Sequence, residues 1–397
     1  MPPILKSMTE FARRIDATTI EALRATGASK WSAANIGAFV AEMDFGIDPR
    51  ITAALHRAVD DGSFGYMPQR ISADLSEATA SFLERKYGWA AAPADVWPIP
   101  DVIMGLELAM EHCSAPGSKV IVPTPSYMPF LTVPPMRGRE VIEMPLEIRD
   151  GRYEFDLDAL QRAFDGGGGL LLLCNPYNPV GRVLTRAELE GIAEVVERNG
   201  GRVFSDEIWA PLVYPGSVHI PYATVSEAAA QHTITAMSAS KAWNLPGLKC
   251  AQLVLSSDRD RETWQRIGPF SGHGTSNLGA IANSVAFREG DAWLADVVAY
   301  LQGNRDRLIE LLAEETPGAW MPVPEGTYVG WIDFRALGLG DQPTEFFDRE
   351  AGITLTDGTR CGAVGAGHAR LIFATPRPIL EQVVRTLGHT VREAAAV

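Results

Sequence analysis

The run LLLLC at residues 170–174 is unbroken in its apolarity, as strands are when a parallel sheet is covered on both faces. A helical pattern follows over residues 185–199 and closes on Asn-Gly-Gly, and a second apolar run from Arg202 to Ser205 delivers Asp206. Strand, helix and strand at this spacing form a parallel crossover unit. Such a unit commits the chain to an α/β sheet, whose ligands sit at the carboxyl ends of the strands. Asp206 stands at one of those ends.

Thr233 to Met237 recovers an apolar-polar run, and Ser238, Ser240 and Lys241 follow it directly, with Lys249 eight residues further on. An acid at the end of one run and a lysine just past the next meet the needs of an aldehyde cofactor with a basic ring nitrogen. The lysine amine bonds the aldehyde, and the carboxylate keeps the ring nitrogen protonated so that it accepts electrons. Each residue alone has a plainer reading, Asp206 as a helix cap and Lys241 as a solvated charge.

At 397 residues, 46% of them hydrophobic, the chain is long enough for two domains. Its net charge of −14 repels nucleic acid and anionic membrane, so neither is expected as a partner. No apolar run reaches the roughly 20 residues that span a bilayer, and the N-terminus has no long apolar signal core, so a cytoplasmic protein is expected. Four scattered cysteines without a CxxC pair read as buried free thiols, and seven histidines without ligand spacing predict no metal site. The glycines at 166–169 read as a flexible turn before the strand, and GAVGAGHAR lacks the strand-helix context of a dinucleotide site.

In chain order, residues 9–26 predict one amphipathic helix stopped by Gly27, and a second helix is expected from Asp48 to Asp60 with Pro49 in its first turn. A helix opening at Asp101, Val102 and Ile103 presents unpaired N–H groups suited to an anion. KVIVPTPSYMPF predicts a strand followed by a Pro-bounded loop carrying Tyr127. A long helix over 288–315 and short strands in TYVGWIDFRAL and HARLIFATPR complete the pattern. We expect residues 1–60 to contribute to a small domain, 61–287 to form the large one and 288–397 to form the rest of the small one.

SDEIW, SASK with Lys249 after it, and NPYNPVG resemble the signatures of fold-type I pyridoxal-phosphate enzymes. AEMDF, FGY, TPSYMPF and HIPYATVS are similar to the MalY/PatB-type C–S lyases, the cystathionine β-lyase branch of the class I/II aminotransferase family. The ordered set spans residues 30–377. It implies an α/β fold with a large, mostly parallel mixed sheet flanked by helices and a smaller α/β domain. The implied cofactor is pyridoxal 5'-phosphate, bound to Lys241. The resemblance places its phosphate at Asp101, Val102 and Ile103 with Ser238, Ser240 and Lys249, and its ring nitrogen on Asp206. Tyr127 would stack on the ring, and Asn178 would hydrogen-bond its phenolic oxygen. Trp209 stands where relatives carry histidine or tyrosine; indole donates a hydrogen bond but does not titrate. Tyr66 would reach a neighbouring subunit's phosphate in a homodimer. Arg370, with Asn178, would hold the substrate's α-carboxylate, and Val40 and Asp44 around AEMDF would line the substrate pocket.

The activity implied is β-elimination from a cysteine S-conjugate to thiol, pyruvate and ammonia. The same constellation also serves an aminotransferase, or a decarboxylating or oxidative deaminase of S-conjugates of the kind found in lincosamide antibiotic pathways. A regulatory protein that kept the fold is the remaining alternative. The group carried on sulfur is not encoded in any motif.

Overall fold

The computed structural model describes residues 3–395. Its large sheet has seven strands: β1 (Val96–Ile99), β2 (Lys119–Thr124), β3 (Val141–Pro145), β4 (Gly168–Cys174), β5 (Arg202–Asp206), β6 (Thr233–Met237) and β7 (Ala251–Leu255), in spatial order β1-β7-β6-β5-β4-β2-β3. Only β7 runs antiparallel to its neighbours. Alternate side chains pass into different cores: Val120, Val122, Leu170 and Leu172 into one, Ile121, Leu171 and Leu173 into the other. Both faces are therefore covered, and this is why LLLLC carries no polar alternation.

The crossover between β4 and β5 is helix Arg186–Arg198, opened by a reciprocal cap in which Thr185 and Glu188 satisfy each other's backbone N–H groups. Gly168 and Gly169, expected in a turn, belong to β4 itself. A Cβ on Gly168 would lie 2.5 Å from the Ile121 side chain, so the strands approach there only without one.

A second, antiparallel sheet is built from β8 (Val329–Asp333), β9 (Thr356–Asp357) and β10 (His368–Ile372), with β10 in the middle. Ile36–Gly37 pairs with Ile353–Thr354, and the Ile372 amide donates to the Ala38 carbonyl, so the early segment is stitched to the C-terminal one. The expected N-terminal helix is two helices, Pro3–Asp16 and Ile20–Ala25. The Thr19 hydroxyl accepts from the Ala22 amide and restarts the helix, an alternative hydrogen bond that Thr offers the backbone. The second expected helix is Pro49–Asp60, capped by Asp48. The helix expected over 288–315 begins at Asp291, after a break at Gly290. A Cβ at Gly290 would lie 2.1 Å from the Trp243 indole nitrogen, which instead donates to the Gly290 carbonyl at 3.2 Å. All four cysteines are buried and unpaired. Among the described residues no helix is long and apolar enough to cross a membrane, and no three metal-type side chains converge.

Candidate active site

The carboxyl ends of β5 and β6 deliver Asp206 and the Ser238–Lys241 turn to one cavity of about 220 Å³. Its walls also carry Asp101, Val102, Ile103, Tyr127, Asn178, Trp209 and Lys249, so residues separated by 148 positions meet in one pocket. The lining includes Ala41 from AEMDF and Ile208 from SDEIW as well, together with Pro246 and Ala251, which no motif had marked.

Asp206 is 4% exposed, and its Oδ1 accepts the Ile208 amide at 3.1 Å. Burial pushes its carboxyl up to about 7; the Ile208 amide and the charge of Lys241 oppose that shift, and neighbouring Glu207 adds to it. Glu207 is itself held by Ser205 at 2.9 Å and His219 at 2.9 Å. The amine of Lys241 moves the other way, down to about 8. Burial is the main cause and the guanidinium of Arg370 the next, with Glu42 and Asp206 pulling back. An acid raised towards neutrality facing an amine lowered towards it is the arrangement a proton-transfer site requires.

The Lys241 Nζ donates to the Ala41 carbonyl at 3.0 Å and lies 5.6 Å from the centre of the Trp209 ring. Trp209 is buried edge-on against Tyr328 at 4.7 Å, and the Tyr328 hydroxyl donates to the same Ala41 carbonyl at 2.9 Å. Tyr328 carries no recognisable motif; only its packing reveals it.

At one end of the cavity, helix Val102–His112 begins, and Val102 and Ile103 are part of the lining. Asp101 caps it, accepting the Met104 amide at 2.9 Å, and its other oxygen holds the Lys249 ammonium at 2.8 Å. Val102 and Ile103 belong to the first turn, whose N–H groups have no acceptor within the helix, which makes this end a ready anion cup. The Ser238 hydroxyl donates to the Cys250 carbonyl at 2.7 Å and contacts the Ser240 hydroxyl at 2.7 Å.

Arg370 projects from the central strand of the small sheet and is 3% exposed. Its Nη1 donates to Asn178 Oδ1 at 3.3 Å and its Nη2 to the Phe39 carbonyl at 3.0 Å, whereas its buried Nε has no partner. An orphaned guanidinium N–H is costly to bury and is satisfied by an anion.

The expectation for Val40 and Asp44 needs correction. Neither lines the cavity, and the Asp44 carboxylate is held by Lys30 Nζ at 2.6 Å and Trp31 Nε1 at 2.8 Å. From this segment it is Ala41 that faces the pocket. The charge of Lys30, with a side chain 1% exposed, demands a counter-ion, and Asp44 supplies it. Tyr66 lies away from the cavity, 87% exposed, on the wall of a surface cleft of about 700 Å³ shared with Trp97, Pro269 and His273.

A carboxylate and an amine across a small cavity, with an anion cup at one end, fit a pyridine aldehyde that carries a phosphate. Residues 40–387 match the model of the aminotransferase class I and II family. Cystathionine β-lyase of Corynebacterium glutamicum is 38% identical over 350 residues, covering 88% of this chain and 92% of the relative. Cystathionine β-lyase PatB of Bacillus subtilis is 32% identical over 337 residues, covering 84% and 86%. The structure of cystalysin from Treponema denticola, which contains a pyridoxal 5'-phosphate cofactor, superposes with a TM-score of 0.88 at 27% identity, covering 95% of this chain and 98% of that one. The chain thus belongs to the aminotransferase class I and II family, on the branch of the cystathionine β-lyases that includes PatB.

Proposed function

We propose that this protein is a pyridoxal-phosphate-dependent C–S lyase that cleaves the Cβ–S bond of a cysteine S-conjugate resembling cystathionine, releasing thiol, pyruvate and ammonia. The observation that carries the proposal is the pairing of Lys241, lowered to about 8, with Asp206 across one cavity. When bound, the cofactor supplies an electron sink that stabilises negative charge at the substrate's Cα.

The protein's residues do the rest. Asp206 holds the ring nitrogen's proton. Val102 and Ile103 amides with Lys249, Ser238 and Ser240 receive the phosphate, Asn178 serves the phenolic oxygen and Tyr127 covers the ring. Arg370 captures the substrate carboxylate through its free Nε edge, with Asn178 beside it. Because its ammonium form is destabilised by burial and by Arg370, the Lys241 amine is unprotonated often enough near pH 7 to take the α-proton. As an ammonium it can return that proton to the departing thiolate. Trp209 packs against Lys241 without titrating, so it shapes the pocket and leaves the proton chemistry to its neighbours.

We further propose a homodimer acting in the cytoplasm. Tyr66, Phe64 and Phe270 are 87%, 69% and 83% exposed, which supports a second copy covering that face and receiving Tyr66. The four unpaired thiols support a reducing compartment.

The test is incubation of the holoenzyme with L-cystathionine and other cysteine S-conjugates, with thiol, pyruvate and CO2 read separately. Equal thiol and pyruvate without added keto acid are expected. Amine turnover that needs a keto acid would assign an aminotransferase instead, and CO2 release a decarboxylating deaminase.

A further inference from the structure

Lys241 sits at the start of a loop that also carries Asn244, and both reach the same N-terminal segment. Asn244 adopts a left-handed backbone, φ 60°, and its side chain accepts the Met43 amide at 2.9 Å and donates to the Met43 carbonyl at 2.8 Å and the Gly46 carbonyl at 3.2 Å. On the far side, Asp44 is fixed by Lys30 and Trp31, and its amide donates to the Ala374 carbonyl at 2.9 Å. Two residues before the first of these anchors, the Ala41 carbonyl accepts from the amine of Lys241 and shares its lone pairs with the Tyr328 hydroxyl.

We propose that Asn244 is a positioning residue. With the buried Lys30–Asp44 pair it locks segment 41–46 onto the lysine loop, so that the Ala41 carbonyl is the built-in acceptor for the Lys241 amine whenever that amine is not bonded to the cofactor. The inference rests on the reading that Lys241 is the cofactor-bearing lysine. It gives the AEMDF stretch a function different from the one its resemblance implied: the stretch acts on the lysine through a main-chain oxygen, and its acid at Asp44 acts as an anchor.

The physical consequence is a bias on protonation. The charged groups facing Lys241 are Arg370 from the small sheet, Asp206 from β5 and Glu42 from the segment itself, with the Tyr328 hydroxyl and Trp209 ring completing its surroundings. A carbonyl acceptor favours the ammonium form over the amine. Two donors on one carbonyl weaken each other, since each withdraws electron density the other would use. Releasing the segment should therefore lower the pH at which Lys241 gives up its proton, whereas removing only the Tyr328 hydroxyl should raise it.

The experiment uses cofactor-stripped protein and pyridoxal 5'-phosphate itself. The rate of cofactor capture is followed by visible absorbance between pH 6 and 10, and the product is trapped with borohydride and mapped to its peptide. Glycine accepts the left-handed backbone at position 244 without strain, so Asn244→Gly removes the side-chain grip and leaves the turn intact. Its capture midpoint should fall by about one unit from the wild-type value, as expected for loss of a charge-assisted hydrogen bond. At pH 7 that leaves about fivefold more unprotonated amine, for a wild-type midpoint of about 8. Tyr328→Phe should move the midpoint the opposite way by about half a unit, with roughly threefold less unprotonated amine at pH 7. General loosening of the site predicts no such opposition of signs. If both variants shift the same way, or neither shifts while the wild type is tagged at Lys241, the inference is overturned. Should Asn244→Gly not fold, a midpoint for Tyr328→Phe that is unchanged or lowered overturns it alone. A wild-type tag on another lysine would refute the underlying assignment of Lys241, a separate outcome.

Discussion

Replacing Asp206 by asparagine should make the cofactor-free protein more stable at pH 8, although it weakens the enzyme. The side chain is 4% exposed and titrates at about 7 instead of 3.8. Below pH 3.8 the carboxyl is protonated in folded and unfolded chains alike, and the shift costs nothing. As the pH rises from 3.8 towards 7, the unfolded chain gives up the proton and the folded one retains it, so stability falls until both are ionised and stays reduced above about 7. A shift of about three units at about 1.4 kcal/mol each bounds the penalty near 4 kcal/mol. Water entering an empty cavity screens the carboxylate, so about 2–3 kcal/mol is the working expectation. Asparagine keeps an oxygen for the Ile208 amide and carries no charge, so it relieves that penalty. Asp206 comes last among the charges acting on Lys241, and its loss disturbs the amine little.

Unfolding entropy of about 2.1 cal/mol/K per residue amounts to roughly 0.8 kcal/mol/K for this length, so the melting midpoint should rise by about 3 °C at pH 8 and by only about 1 °C at pH 4.5, where the unfolded carboxyl has ionised and the folded one has not. Differential scanning calorimetry at one scan rate, with and without cofactor, measures it. In the loaded protein the order should invert, because wild-type Asp206 gains a cationic partner that asparagine cannot match. A cofactor-free variant that melts lower than wild type at pH 8 would refute the claim that Asp206 is held at an energetic cost for the sake of that partner.

Two ion pairs and the cofactor lysine yield the further outcomes. Asp44→Asn strands the charge of Lys30, whose side chain is 1% exposed, and should cost about 3–5 kcal/mol in urea denaturation; Lys30→Met with Asp44→Leu should recover most of that loss. At the anion cup, Asp101→Ser keeps a capping oxygen but removes the carboxylate paired with Lys249 at 2.8 Å, so cofactor titration of stripped protein should show several-fold tighter binding. Lys249→Met should instead weaken it about tenfold, less so in high salt. Lys241→Ala should leave cofactor binding possible but abolish the visible absorbance of the imine and the borohydride tag together.

Local chemistry carried much of the fold into view. The β4–helix–β5 crossover, the helix starts near Asp48 and Thr185 and the strand leading to Asp206 are each set by residues within a turn or two of one another, so they could be read directly. Breaks imposed from a distance could not. The residue at the break, Gly290, lacks a side chain where the Trp243 indole, 47 positions away, occupies the space its Cβ would need. Gly168 and Gly169 look like a turn until Ile121 and Ser118 are placed against them.

The site divides in the same way. Asp206, Lys241, Asn178 and Arg370 announce themselves because their chemistry is unusual for their local setting and their neighbours repeat a family's motifs. Asp44 stood in such a motif too, but its partner is Lys30, fourteen positions earlier and folded back across the segment. Tyr328 and Asn244 had no motif at all; Tyr328 matters because its hydroxyl shares the Ala41 carbonyl with the lysine, and Asn244 because it grips Met43 and Gly46 just after that carbonyl. The order of residues along the chain determines which acids and amines are available and which strands carry them. Which of those groups meet, and which are occupied in holding the backbone still, depends on burial and distance, and these exist only once the chain has closed on itself.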